Sequence, residues 1–237
     1  MADFLRDSLE KIGYNATDLQ CGQLNSFHKL LCEWNEFMNL TGITEYDEVV
    51  IKHFVDSLAV NCVYSFKKTD RVVDIGTGAG FPGIPLKIMY PDTDFTLLDS
   101  LNKRIKFLDE VIRQTSLKNI ETLHGRAEDY AKNRDYREKF DVCVSRAVAN
   151  LSTLSEYCLP YVKVGGCFIA YKAGQLDEEL KTAERAVKLL GGEIVDVHKL
   201  TLPDTDIDRT FVVIKKTAAT SKKYPRKAGL PAKEPLQ

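Results

Sequence analysis

Val72-Val73-Asp74-Ile75-Gly76-Thr77-Gly78-Ala79-Gly80-Phe81-Pro82-Gly83 is the stretch that decides how this chain is built. A short apolar run from Val72 to Ile75 passes through an acid and ends in glycines at every second position. Such a run closed by glycine reads as a buried strand entering a tight turn. The residues behind it, Ile84 to Tyr90, have helical spacing. A strand, a loop without side chains and a helix start together make a place where a ligand can lie against the backbone.

The same alternation continues downstream. Phe95 to Leu98 is strand-like, and Lys103 to Gln114 carries Ile105, Leu108, Val111 and Ile112 on one helical face. Ile120–His124, Asp141–Ser145 and Cys167–Tyr171 are further strands, with helices at Leu151–Val162 and Leu176–Leu190 between and after them. Gly191-Gly192 suits a left-handed helix stop. Ile194–Leu202 and Phe211–Ile214 follow with no helix between them. This predicts an α/β domain with a mostly parallel sheet, covered on both faces and antiparallel at one edge.

Upstream the period is helical. Thr17-Asp18-Leu19-Gln20 fits a capping box, and Leu24, Phe27, Leu31, Trp34 and Met38 form one apolar stripe. A second amphipathic stretch runs from about His53 to Val63. The expected organisation is a helical N-terminal lobe over 1–66 packed on the sheet, a ligand-binding domain over 67–216, and a basic, flexible tail over 217–237.

The 237 residues are 44 % apolar and 28 % charged, an ordinary globular balance that excludes bulk disorder. No apolar run is long enough to span a membrane, and the start has neither a basic leader nor an apolar core, so a cytoplasmic protein is expected. The net charge of −1 hides an asymmetry: from Lys215 onward the chain carries seven Lys/Arg against Glu234 alone. A basic tail on an acidic body suits a polyanionic partner such as nucleic acid, or simply a solvated surface. Six cysteines form no C-x-x-C pair and four histidines show no metal spacing, so reduced core thiols and no metal are expected.

The glycine loop departs from the dinucleotide pattern G-x-G-x-x-G: here it is Asp74-x-Gly76-x-Gly78-x-Gly80. An acid ahead of the glycines suits a cationic ligand better than a pyrophosphate, which favours S-adenosylmethionine over NAD. Asp99 closes the second strand, where it could accept ribose hydroxyls. Polar residues follow five successive strands: Asp74, Asp99, His124-Gly125-Arg126-Ala127-Glu128, Ser145-Arg146 and Lys172. Open α/β sheets bind ligands at such a rim.

At this point the sequence resembles a known family. Val73 to Leu86 followed by Leu98-Asp99-Ser100-Leu101-Asn102-Lys103-Arg104 is similar to the bacterial 16S rRNA 7-methylguanosine methyltransferases, the RsmG or GidB family. Trp34-Asn35, Asn39-Leu40-Thr41, His53-Phe54-Val55-Asp56-Ser57, Ser145-Arg146-Ala147, Ala170-Tyr171-Lys172 and the tail Tyr224-Pro225-Arg226-Lys227-Ala228-Gly229 support it. The resemblance implies a class I (Rossmann-like) fold and methyl transfer from S-adenosylmethionine to guanine nitrogen-7 in the 530 loop of 16S rRNA. It implies that Gly76, Gly78, Gly80 and Phe81 touch the cofactor, with Asp99 at its ribose, Ala127 and Glu128 at its adenine, and Arg146 near the transfer site. Asn39, His53, Lys172 and Arg209 would stand on the RNA side; the alternative is that His53 and Asn39 only tie the lobe to the sheet and that Arg209 is a surface charge on an edge strand.

Guanine nitrogen-7 offers a lone pair, so no general base is expected, and no catalytic residue is assigned. The Asn/Asp-Pro-Pro-aromatic motif of amine methylation is missing where Ser145-Arg146-Ala147-Val148 stands, and Cys143, inside an apolar strand, is a poor nucleophile. Alignment of donor and acceptor carries such a reaction. Arg146 beside a sulfonium would be unfavourable, so it should grip a carboxylate, a guanine oxygen or a phosphate. The alternatives are a class I methyltransferase acting on another RNA, a protein or a small molecule, a non-catalytic ribosome-assembly factor, and a dinucleotide-dependent oxidoreductase. A monomer acting on 16S rRNA, the 30S subunit or its precursor is the expected form.

Overall fold

Two helices open the chain, α1 (Ala2–Glu10) and α2 (Asp18–Met38), in a computed structural model that describes residues 2–146, 149–174 and 176–236. The capping box forms as expected: the Thr17 hydroxyl accepts from the Gln20 amide, and Gln20 Oε1 accepts from the Thr17 amide at 2.9 Å. Asn39 ends α2 in the left-handed region, φ 51°. The next turn is built by Asn35, whose Oδ1 accepts the amides of Leu40 (2.7 Å) and Thr41 (2.9 Å).

A single helical run follows in four pieces: α3 (Tyr46–Val49), a π-helical turn (Val50–Val55), α4 (Asp56–Leu58) and a 3-10 turn (Ala59–Cys62). The predicted stretch from His53 is the second half of this run. Its π turn, a feature common at functional sites, holds His53, and Asp56 comes directly after.

The alternating part of the chain gives β1 (Arg71–Ile75), α5 (Gly83–Met89), β2 (Asp94–Asp99), α6 (Asn102–Gln114), β3 (Ile120–His124), α7 (Ala127–Tyr130), β4 (Phe140–Arg146), α8 (Leu151–Cys158), β5 (Val162–Lys172), α9 (Asp177–Leu189), β6 (Gly192–Thr201) and β7 (Asp208–Lys216). The sheet order is β3-β2-β1-β4-β5-β7-β6. The first five strands are parallel, and β7 runs antiparallel to both β5 and β6. Val162 corrects one boundary: a 3-10 turn at Leu159–Tyr161 with Pro160 in it stops the helix, and Val162 begins β5 by pairing with Phe140. Gly191 adopts φ 82°, the left-handed stop expected there.

The order reverses between β1 and β4, so the carboxyl ends of these strands open a crevice. Helices cover both faces. On one face Phe27 stacks among Phe54, Phe81 and Phe107, within 5.1–6.2 Å between ring centroids, so the N-terminal helices share one core with β1, β2, α5 and α6. On the other, α7, α8 and α9 cover the sheet. Among the described residues no helix is long and apolar enough to cross a membrane.

The tail, expected to be flexible, is laid along the α7–α8 face and ends in α10 (Leu230–Lys233). Arg137 donates to the carbonyls of Thr220 (2.7 Å) and Tyr224 (3.0 Å), and the Thr153 hydroxyl donates to Pro231 O (2.9 Å). One of its cations, Arg226, faces the Glu156 carboxylate inside the fold, whereas Lys222, Lys223 and Lys227 are exposed.

Candidate active site

The loop after β1 is shaped by its own backbone. Gly76 and Thr77 donate to Leu98 O (2.9 and 3.1 Å), which binds the loop to the end of β2. Gly76, Gly78 and Gly80 all have positive φ. A Cβ on Gly80 would lie 2.7 Å from Ile84 Cγ1 and 2.9 Å from Leu108 Cδ2, so this glycine lets the loop press on α5 and α6. Gly83 is tighter: a Cβ would meet Leu97 Cδ2 at 2.3 Å and Asp74 Oδ2 at 2.8 Å.

A cleft of about 660 Å³ lies over these carboxyl ends. Gly76, Gly78 and Phe81 line it on one side, Asp99 at its floor, and Ala127 and Glu128 on the far side; Arg146 and His53 close the near end. Seven of the eight expected cofactor residues therefore meet in one hollow. Gly80 is not on its wall and serves packing instead.

Asp74 does not face the ligand space. It is fully buried, and its Oδ2 accepts the Gly83 amide (2.9 Å) at the start of α5. Burial pushes its carboxyl up to about 7, although the Thr77 hydroxyl, the Gly83 amide and the Arg146 cation pull it down. The electrostatic argument that chose a cationic ligand from Asp74 is corrected here: the acid organises the loop.

Asp99, 2 % exposed, is already well supplied with donors. Its Oδ2 accepts from Gly78 N (3.0 Å) and Arg104 Nη1 (3.1 Å), and its Oδ1 from Leu101 N (2.8 Å). A carboxylate has about four acceptor positions, so little remains for a ribose unless Arg104 yields. Arg104, Tyr157 and Gly229 also line the cleft and were missed. Arg104 and Gly229 stood within stretches that carry the family resemblance, whereas nothing local in the sequence marks Tyr157.

At the near end one carboxylate holds two guanidinium groups. Asp56, 2 % exposed, accepts from Arg146 Nη1 (2.8 Å) through Oδ2 and from Arg209 Nε (2.7 Å) through Oδ1. His53 stacks on Phe81 at 4.4 Å, and Arg146 lies over the same ring. Burial, reinforced by the Arg146 cation, lowers His53 to about 4, so it is neutral near pH 7. Its neighbours pull the tautomer two ways: Nδ1 lies 3.1 Å from Lys52 O, which can only accept, and 3.4 Å from Arg146 Nη2, which can only donate, while Nε2 lies 2.9 Å from the Thr41 hydroxyl, which itself accepts the Ile43 amide. His53 thus ties the lobe to the cleft.

A second hollow of about 430 Å³ adjoins the first, and His53 and Arg146 belong to both. Lys52, Arg146, Lys172 and Arg209 surround it, against Asp56 and Glu179. Lys172 is bound to Ala149 O (2.9 Å) and Glu179 (2.6 Å). Asn39 lines neither hollow; it is exposed, and its left-handed cap is the role it visibly fills. Ala147 and Val148, part of the segment after β4 singled out in the sequence, lie outside the described residues. Cys143 is fully buried, and burial beside Cys158 raises its thiol well above the ordinary value, so it is no nucleophile.

Residues 20–209 match the model of the family described as "GidB: rRNA small subunit methyltransferase G". The chain belongs to this family. The protein named ribosomal RNA small subunit methyltransferase G of Lachnoclostridium phytofermentans is 55 % identical, covering 96 % of this chain and 94 % of its own. Its namesake in Alkaliphilus oremlandii is 52 % identical over 100 % and 99 %. Among solved structures, a variant of MtNAS in complex with S-adenosylmethionine has a TM-score of 0.57 at 16 % identity, over 84 % of this chain and 77 % of that one. M. jannaschii TYW2 in complex with AdoMet has a TM-score of 0.54 at 13 % identity, over 73 % and 77 %. These share the class I methyltransferase fold with the chain.

Proposed function

We propose that this family member transfers a methyl group from S-adenosylmethionine to nitrogen-7 of a guanosine in the 530 loop of 16S rRNA. The observation that carries the reading is the meeting of the two hollows at His53 and Arg146, one walled by glycines and carboxylates, the other ringed by cations. The larger hollow, at about 660 Å³, has the size of a cofactor site. Gly76, Gly78, Phe81, Asp99, Ala127 and Glu128 would hold the cofactor there.

S-adenosylmethionine supplies an electrophilic methyl group on a sulfonium. The chain's own part is alignment. Neutral His53 and the Asp56-paired Arg146 flatten against Phe81 and leave no strong base at the junction. Asp56 also mutes the cation, which removes much of the penalty of placing Arg146 near a sulfonium. Lys52, Lys172 and Arg209 give the second hollow a positive balance suited to the phosphates around a splayed-out guanosine. A monomer working in the cytoplasm on 16S rRNA, within a 30S subunit or its precursor, fits this arrangement.

The test is mapping of 7-methylguanosine in 16S rRNA from cells without this protein, then with the wild type or an Asp99→Ala copy restored. One mark in the 530 loop should vanish and return only with the wild type. An unchanged rRNA sinks the reading.

A further inference from the structure

The tail reaches the cofactor cleft. Glu156, on α8, is fully buried, and among the described residues its carboxylate accepts hydrogen bonds from Arg226 alone. Arg226 donates to it from its backbone amide (2.7 Å), from Nε (3.0 and 3.1 Å) and from Nη2 (2.7 Å). Leaving one member of such a pair alone in the interior is costly, so Glu156 demands the tail. The Arg226 Nη2 also donates to Glu234 O (2.7 Å), which closes residues 226–234 into a bracket.

Inside that bracket Gly229 turns through φ 83° and donates its amide to Glu128 Oε1 at 2.8 Å. Glu128 is 5 % exposed and stands on the cleft wall, and Gly229 itself lines the same wall beside Tyr157. The bracket therefore spans two nearly buried carboxylates, one in the core under the wall and one in it.

We infer that residues 226–234 form a strap that completes the cofactor site, and that Arg226 and Glu156 are positioning residues which hold it there. This rests on the reading that the cleft takes S-adenosylmethionine. The strap fixes the Glu128 carboxylate through Oε1 and leaves Oε2 for a donor on the ligand. Through Gly229 it also lines the cleft beside Glu128 and not the second hollow, so its loss weakens cofactor binding without touching the RNA side.

Calorimetry with S-adenosylmethionine on the full-length wild type, Arg226→Ala and Arg226→Lys, paired with methyl-transfer kinetics on 16S rRNA, tests it. Arg226→Ala should raise Kd and KM for S-adenosylmethionine about tenfold, while KM for RNA and kcat at saturating cofactor stay within twofold. Arg226→Lys should recover part of the loss. If Arg226 instead only contacts RNA, the RNA KM alone rises and the strap is overturned. Should Arg226→Ala not fold, hydrogen exchange on the wild type decides: amides of 226–234 must gain protection when S-adenosylmethionine is added, and equal exchange with and without it overturns the inference. A wild type that does not bind S-adenosylmethionine overturns the cofactor reading and the strap with it, whereas binding with an indifferent strap overturns the strap alone.

Discussion

The guanidinium of Arg146 lies 5.0 Å above the centre of the Phe81 ring. One residue comes from the end of β4 and the other from the glycine loop after β1, and the lobe's Asp56 and His53 fix both partners from the side. This contact is where the lobe, the cofactor cleft and the basic hollow meet.

Removing the cation should therefore be felt twice. Arg146→Ala leaves Asp56 with Arg209 as its remaining guanidinium partner and exposes one face of Phe81. A stability loss of about 1–3 kcal/mol follows from the broken charged hydrogen bond, together with a fall in methyl transfer. Urea denaturation and single-turnover kinetics check the two effects. If neither stability, cofactor affinity nor transfer changes, the assigned role of Arg146 is wrong.

Asp99 gathers the Gly78 amide, the Leu101 amide and Arg104. Asp99→Ala leaves those donors unpaired and should raise Kd for S-adenosylmethionine at least about tenfold, since one charged hydrogen bond contributes about 1.5–3 kcal/mol. Asp99→Asn should fall between, because a carbonyl oxygen still accepts. Titration calorimetry reads both.

Gly83→Ala pushes a methyl group into Leu97 and Asp74. The thermal midpoint should drop by an amount corresponding to about 1–3 kcal/mol, the usual cost of overpacking. Gly229→Ala, where no atom lies within 4 Å of the added carbon, should cost less, and only through its backbone angle.

A buried carboxyl and a half-buried imidazole give the stability opposite dependences on pH. Asp74 has its folded pKa raised to about 7 from 3.8, so the native state binds the extra proton between these values and stability falls as pH rises from about 4 to about 7. His53 has its folded pKa lowered from 6.5 to about 4, so the unfolded state binds the extra proton and stability rises with pH over about 4 to 6.5. Asp74→Asn removes the falling component alone. Its stability relative to wild type should grow between pH 4 and pH 8, by on the order of 3 kcal/mol. Guanidinium titrations at several pH values measure it, and a constant difference contradicts the assignment.

With no general base at the junction, the transfer step itself should show no steep limb that one side chain accounts for. Single-turnover rates from pH 6 to 9 test this, with binding saturated throughout. A limb abolished by one substitution would contradict the alignment mechanism.

Much of this protein is legible in local sequence. The capping box at Thr17, the strand ending in Gly76, the left-handed stop at Gly191 and the final antiparallel pair all depend on residues close in the chain. The family motif carried the cleft residues from Gly76 to Arg146 in the same way. Periodicity and glycine spacing report such features because the forces behind them act over a few residues.

What only the tertiary structure decided are the partners of buried charges. Asp74 looks like a ligand-facing acid from its place before the glycines, yet it meets Gly83 nine residues on, inside the fold. The tail looks like a free polycation, yet Glu156, seventy residues earlier, takes Arg226, and Glu128 takes Gly229. Charge composition is additive along a chain, but desolvation is not: whether a carboxylate faces water or a guanidinium depends on which distant segments fold over it.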